Sequence, residues 1–381
     1  MKKISILSLT VAALFGAFSC NKNVVTPEEQ VLGDLPNGSL TVNIGAVDET
    51  KADLSAMKDF RINSVQVFVF DANNRLETDV YKDGISADNS TQVTINTKTG
   101  AKTVYALLNH SRLSFTTGSA GQLLADYEAK LTDLSENTSE TDLVMTGKNT
   151  VNVTDYNNQG AGGTPQAVNI FVKRLVSRIQ LDGVTVDFRG TSLEGADFTV
   201  QKIYLKNVVG KSPIGMQGLT GVSDVTSTIL PKLLPDDQYD VAANWYNKMK
   251  EEAGAPAVIS DSYSKACNVA GTMTDLKRVL FAFPNATSGD SNNATWGKRH
   301  TRIAIKAHVT KSAVGIDKDT YYVLDLPVLV ANTIYEIDNI NITQLGKDDD
   351  SSDEGIKVGK ETYTITVDPW NPTITHLNYE F

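Results

Sequence analysis

The chain is poor in the side chains that carry most enzyme chemistry. Its 381 residues include two cysteines, four histidines and three tryptophans. Cys20 and Cys267 are too few to frame a disulfide scaffold or a Cys-based zinc site. The histidines are scattered at 110, 300, 308 and 376, and no H-E-x-x-H pair or G-x-S-x-G elbow occurs. Basic residues are outnumbered, 35 against 45 acidic, for a net charge of −10. That balance excludes nucleic acid as a partner, because phosphate binding needs a surplus of Lys and Arg. No apolar run reaches the roughly 20 residues of a membrane span. Strands and turns are what the composition favours, through Thr, Val and Asn and 27 glycines.

The longest apolar run is N-terminal. Lys2 and Lys3 precede residues 4–18, broken only by Ser5, Ser8, Thr10 and Gly16, and the run closes on Ala17-Phe18-Ser19-Cys20. This is the positive, apolar and small-residue sequence of a secretory signal. A cysteine directly after the small residue resembles a bacterial lipobox, so residues 1–19 are expected to be removed and Cys20 acylated. Several acyl chains, at about 0.8 kcal/mol per buried methylene, make a firm anchor. Residues 20–37 are polar and aperiodic, a flexible tether.

Beyond the tether the chain reads as many short strands. Leu40, Val42, Ile44 and Ala46 alternate with polar residues, the mark of a half-buried strand. Residues 62–70 are apolar on both faces, with Val65, Val67 and Val69 against Phe68 and Phe70, which predicts a central strand. The spacing of Leu123, Leu124, Tyr127, Leu131 and Leu134 predicts one short amphipathic helix, and a second is expected around Trp245. Further strands are expected over 76–81, 92–96, 102–109, 143–153, 168–181, 198–209, 301–310, 321–326, 334–343 and 373–381. Together they predict an all-β chain with few short helices and two β-sandwich domains, 38–165 and 166–381.

Two stretches invite chemistry and fail on spacing. Gly160, Gly162 and Gly163 are followed by no Lys-Ser/Thr, so they read as a loop rather than a phosphate cradle. A calcium loop starting at Asp348 needs Gly sixth and Glu twelfth, where Asp353 and Gly359 stand. The expectation is therefore no catalytic residues, no metal and no cofactor.

Taken in order, the lipobox, the tether, the strand of residues 62–70 with its Asp71-Ala72-Asn73-Asn74 turn, the Arg-centred run Val172-Lys173-Arg174-Leu175-Val176-Ser177-Arg178-Ile179, then Phe281-Ala282-Phe283-Pro284-Asn285, Ala331-Asn332-Thr333-Ile334-Tyr335 and Trp370 resemble the fimbrillin family, the major fimbrial subunits of type V pili. The resemblance implies two tandem transthyretin-like sandwiches with Greek-key-type topology and no enzymatic activity. It implies export as a lipoprotein to the outer membrane, then cutting by a trypsin-like protease beyond the first strand. The departing strand, with Leu40, Val42 and Ile44, would leave a groove for a strand of the next subunit, a copy of itself or a related fimbrial protein. The family's cut follows Arg. Lys51 is the best-placed residue here, and Arg61 is the alternative. The C-terminal Leu377, Tyr379 and Phe381 share one face and suit the donor role. The contrasting expectation is a monomeric, surface-anchored lipoprotein that binds glycans or is otherwise adhesive. Neither reading specifies the surface ligand.

Overall fold

Alternation of apolar and polar residues over 38–46 puts Leu40, Val42 and Ile44 on one face, and that face is buried. This first strand sits inside a sheet rather than at its edge. The computed structural model describes residues 38–46, 61–88, 90–117, 121–137, 141–154, 165–219, 239–240, 245–248, 261–268, 271–273, 278–286, 301–348, 368–369 and 378–380.

The strands of the first half are β1 (Gly38–Ala46), β2 (Arg61–Ile62), β3 (Val65–Phe70), β4 (Leu76–Lys82), β5 (Ala87–Asp88), β6 (Ser90–Thr97), β7 (Gly100–Leu108), β8 (Leu131–Asp133), β9 (Met145–Val153) and β10 (Gln166–Arg174). Seven of them form one sheet in the order β4-β3-β7-β9-β10-β1-β6. Its apolar faces curl on themselves. Val65, Val67 and Val69 of β3 share a core with Leu40, Val42, Ile44, Val93 and Ile170 from the far end. The other face of β3 sends Phe68 and Phe70 into a second core with Tyr105 and Tyr127. All six residues of β3 are buried, as apolar side chains on both faces predict.

The remaining strands are β11 (Ser177–Leu181), β12 (Val184–Val186), β13 (Asp197–Val209), β14 (Lys211–Pro213), β15 (Tyr239–Asp240), β16 (Trp245–Lys248), β17 (Asp261–Asn268), β18 (Gly271–Met273), β19 (Arg278–Ala282), β20 (Arg302–Lys311), β21 (Ile316–Asp325), β22 (Thr333–Ile337), β23 (Asn339–Ile342), β24 (Asp368–Pro369) and β25 (Asn378–Glu380). Two four-stranded sheets, β19-β11-β22-β24 and β18-β12-β23-β25, continue one another through breaks at Asp182-Gly183 and Asp338. The Asp182 N–H donates to the Ile337 carbonyl and the Ile340 N–H to the Gly183 carbonyl across that seam. A further sheet runs β15-β16-β13-β20-β21, with β17 also on β13. The chain is all-β and sandwich-like, as expected.

Two sequence expectations need correction. The helix expected over 123–134 is only α1 (Leu124–Glu128). After Ala129 and Lys130 the backbone turns extended, because Leu131–Asp133 pairs with Lys211–Pro213, and that pairing overrides helical spacing. Trp245 lies on a strand paired with Val209, not on a helix. β10 pairs with β1 and β9, so the chain leaves the first sheet at Arg174. The run 168–181 is thus two strands, interrupted at Leu175-Val176.

Candidate functional site

The site is the seat of β1. On one side β1 runs parallel to β10, with Leu40 opposite Gln166 and Ala46 opposite Val172. On the other it runs antiparallel to β6, with Gly38 opposite Thr97 and Gly45 opposite Ser90. Entry to the seat is close: a Cβ on Gly38 would lie 2.5 Å from Val153 Cγ1, so a larger residue there would have to displace the Val153 side chain. Leu40 and Val42 are fully buried, and Ile44 is 1% exposed. Burying these three contributes about 1.5–3 kcal/mol each as an upper bound. Ladder hydrogen bonds on both flanks add about 1 kcal/mol net apiece.

The outward face of the same strands carries a row of amides. Gln92 Nε2 on β6 donates to Asn43 Oδ1 at 2.7 Å. Asn43 Nδ2 donates to Asn169 Oδ1 on β10 at 2.9 Å. Asn149 on β9 donates to the Asn169 carbonyl at 2.8 Å. A shift of β1 by one residue would bury Asn43 and expose Leu40, Val42 and Ile44, so face and row specify the same register.

Among the described residues β6 pairs only with β1. Its far end is held by Glu77 on β4. That carboxylate accepts from Thr97 Oγ1, from the Lys98 N–H and from Lys102 Nζ, each at 2.5 Å. Lys102 on β7 is itself buried. Burial pushes the Glu77 pKa up, but the bonds from Lys102, Lys98 and Thr97 outweigh it and hold the carboxyl below its ordinary range.

Of the residues singled out from sequence, the structure brings Leu40, Val42 and Ile44 together in this seat. Cys20, Lys51, Leu377 and Phe381 lie outside the described residues. Arg61 opens β2, its guanidinium bonded to the Ser86 hydroxyl and its carbonyl accepting from Asn109 Nδ2 at 2.7 Å. Tyr379 lies on β25, opposite Ile340, at the edge of its sheet. Sequence reasoning missed Asn43 and Glu77 as site residues. Their polar positions were visible, but the strand order that gives them partners was not.

Elsewhere, Asp182, Glu336 and Asp338 offer carboxylate oxygens within 4.8 Å of one another. Gln180 Nε2 donates to Asp182 at 2.9 Å and to Glu336 at 3.2 Å, so the amide already spans two of them. His308 is bracketed on the β20–β21 hairpin by Asp319 at 2.8 Å and Asp317 at 2.9 Å. Asp348, the expected start of the acidic loop, accepts from Lys318 at 2.7 Å.

A first strand seated mid-sheet between β6 and a strand more than a hundred residues away can be compared with known families. Residues 37–174 match the family model described as major fimbrial subunit protein (FimA). The match covers 138 of the 381 residues and marks a likeness to that family. The match ends at Arg174, where the first sheet also ends. The fold of the chain is similar to that of a candidate cell adhesion protein from Bacteroides eggerthii, at 17% identity and TM-score 0.57, over 91% of this chain and 99% of that one. It is similar to a fimbrilin from Porphyromonas gingivalis, at 16% identity and TM-score 0.55, over 91% and 98%. A candidate adhesion protein from Parabacteroides distasonis gives 16% identity and TM-score 0.56, over 90% and 99%. No curated protein matches the chain. The fimbrillin resemblance thus extends from sequence to fold. The family is one of structural subunits, not enzymes.

Proposed function

We propose that the chain is a structural subunit of a cell-surface fimbria, assembled by strand exchange in support of adhesion. Acylation at Cys20 anchors the precursor to the outer membrane. A trypsin-like protease then cuts after Lys51, in the polar connection of residues 47–60. Arg61 is the poorer site, because its carbonyl and its guanidinium are both engaged and its backbone already pairs with Asp88. Cutting frees β1 from everything but non-covalent contacts. The next subunit fills the vacated seat with its C-terminal strand, Leu377, Tyr379 and Phe381 facing inward. The subunit keeps two sandwich lobes, the first closing at Arg174, and uses no catalytic group, metal or cofactor.

The observation that carries this reading is the place of β1. The first described strand fills an interior gap between β6 and β10 with a fully apolar inner face, so its loss exposes unpaired backbone on both walls. The last strand supports the donor role: among the described residues β25 pairs with β23 alone. The experiment is to read the N-terminal residue of the chain in cell-surface filaments. Ala52 is expected. Cys20 retained in filaments, or a chain found only as a Cys20-bearing monomer and in no filament, would replace this reading with the anchored adhesive lipoprotein.

A further inference from the structure

Removing β1 from between β10 and β6 raises a mechanical problem. β10 keeps its pairing with β9, but β6 loses the only strand paired with it among the described residues. A β6 free to swing inward would close the gap by covering the exposed apolar side chains of β3 and β10, and no incoming strand could enter. What remains on β6 is its buried Val93 and Ile95, the short connection through Lys98 and Thr99 into β7, and the Glu77 carboxylate. Of these Glu77 gives a directional hold through its three hydrogen bonds. Apolar contact is non-directional, whereas three donors converging on one carboxylate define a place.

We propose that Glu77 is a staple that holds the lip of the seat one strand-width open while it is empty. Residue 77 sits on β4, at the opposite end of the sheet order from β6. Its carboxylate therefore ties the two ends of the curled sheet together through hydrogen bonds to Thr97, Lys98 and Lys102, none of them on β1. Thr97 and the Lys98 N–H mark the last residue of β6 and the first beyond it, and Lys102 secures the carboxylate from β7. With β1 present the staple is redundant, since β6 is zipped to β1 from Ser90 to Thr97. With β1 gone it is the directional tie between β4 and β6 that sets the spacing. The surface it preserves fits a second copy's strand running parallel to β10. That strand must be apolar at three alternate positions and polar outward between Gln92 and Asn169. Glu77 is thus a positioning residue for assembly, and the inference rests on the strand-exchange reading.

The test uses the full-length chain with a specific protease site placed within residues 51–58, and a labelled peptide of residues 38–46. Replacing Glu77 alone would strand the buried Lys102 charge, so the variant is Glu77→Leu with Lys102→Met. Uncut, this variant should keep wild-type amide protection along β6. Cut and depleted of β1, it should bind the peptide at least tenfold more weakly than cut wild type. Equal binding by the two cut proteins overturns the staple. Failure of cut wild type to release β1 or to take up peptide overturns the strand-exchange reading instead. Should the double variant not fold, Thr97→Val leaves the Glu77–Lys102 pair in place. It should weaken binding by the cut chain about threefold through loss of one hydrogen bond, and wild-type binding there overturns the staple equally.

Discussion

Asn43 donates its side-chain amide to Asn169 Oδ1 at 2.9 Å, across the parallel pairing of β1 with β10. A side chain that accepts from Gln92 on one flank and donates to Asn169 on the other must carry both functions, and an amide does. Residues 373–381 contain one amide, Asn378. Set in the place of Asn43, it puts Leu377 and Tyr379 where Val42 and Ile44 lie, and Glu380 diagonal to the exposed Lys173. Filaments of a chain carrying Asn378→Cys and Gln92→Cys, with Cys267→Ser, should form interchain disulfides. Cross-linking through His376→Cys or Glu380→Cys in place of position 378 would show another register.

Leu40→Ala should destabilise the uncut chain by about 2–5 kcal/mol, because a buried leucine is lost from a closed core. Urea unfolding reads this directly. Filaments assembled from the same variant should melt like wild type, since the altered strand is gone. A matching loss in filaments would mean that β1 stays in place.

Cys20→Ala should abolish labelling by a fatty-acid probe and release the chain from membranes. Persistent labelling of the variant would remove the lipoprotein step.

Asn332 has a left-handed backbone, φ 54°, and its Oδ1 accepts from the Arg174 N–H at 3.2 Å and from the guanidinium at 3.4 Å. Asn332→Gly loses those bonds but keeps the conformation easily. Asn332→Ala loses both, and should be about 1 kcal/mol less stable than the glycine variant by thermal or urea unfolding. The opposite order would mean that the turn relaxes out of the left-handed region.

His308 should titrate above its ordinary 6.5, raised by the hydrogen bond to Asp319 against slight burial and then by Asp317. A raised folded value means the pair stabilises the hairpin fully below pH 6.5 and loses that contribution as pH rises through the folded pKa. The side chain is 34% exposed, so the effect is small and salt-sensitive. An NMR titration of His308, repeated in Asp319→Asn, should show the pKa fall toward 6.5 in the variant.

How much of this could be read from the sequence depended on range. Alternation at Leu40, Val42 and Ile44, and the doubled faces of residues 65–70, report burial residue by residue, and both strands are where the pattern puts them. The 123–134 spacing misled because Leu131 is half-exposed on a strand whose partner lies some eighty residues on. Trp245 misled for the same reason, as its partner is Val209. Glu77 and Asn43 look like ordinary outward polar residues until β4, β6 and β10 are placed in order, and the strand order is non-local information. The end of the first sheet at Arg174 is likewise invisible in an unbroken β-rich run. It appears only when β10 is seen to pair with β1.

The parallel pairing of β1 with β10 also sets an order in time. Asn43 and Asn169 are 126 residues apart. At roughly 5–20 residues per second of synthesis, the first strand exists for on the order of ten seconds before its partner is made. Through that interval its apolar stripe is an unpaired strand edge of the kind that seeds aggregation. The strand made earliest is therefore among the last to be seated, and closure of the first sheet is a late, high-contact-order event that slows folding. A companion that shields nascent strands is a natural requirement for producing such a chain in quantity.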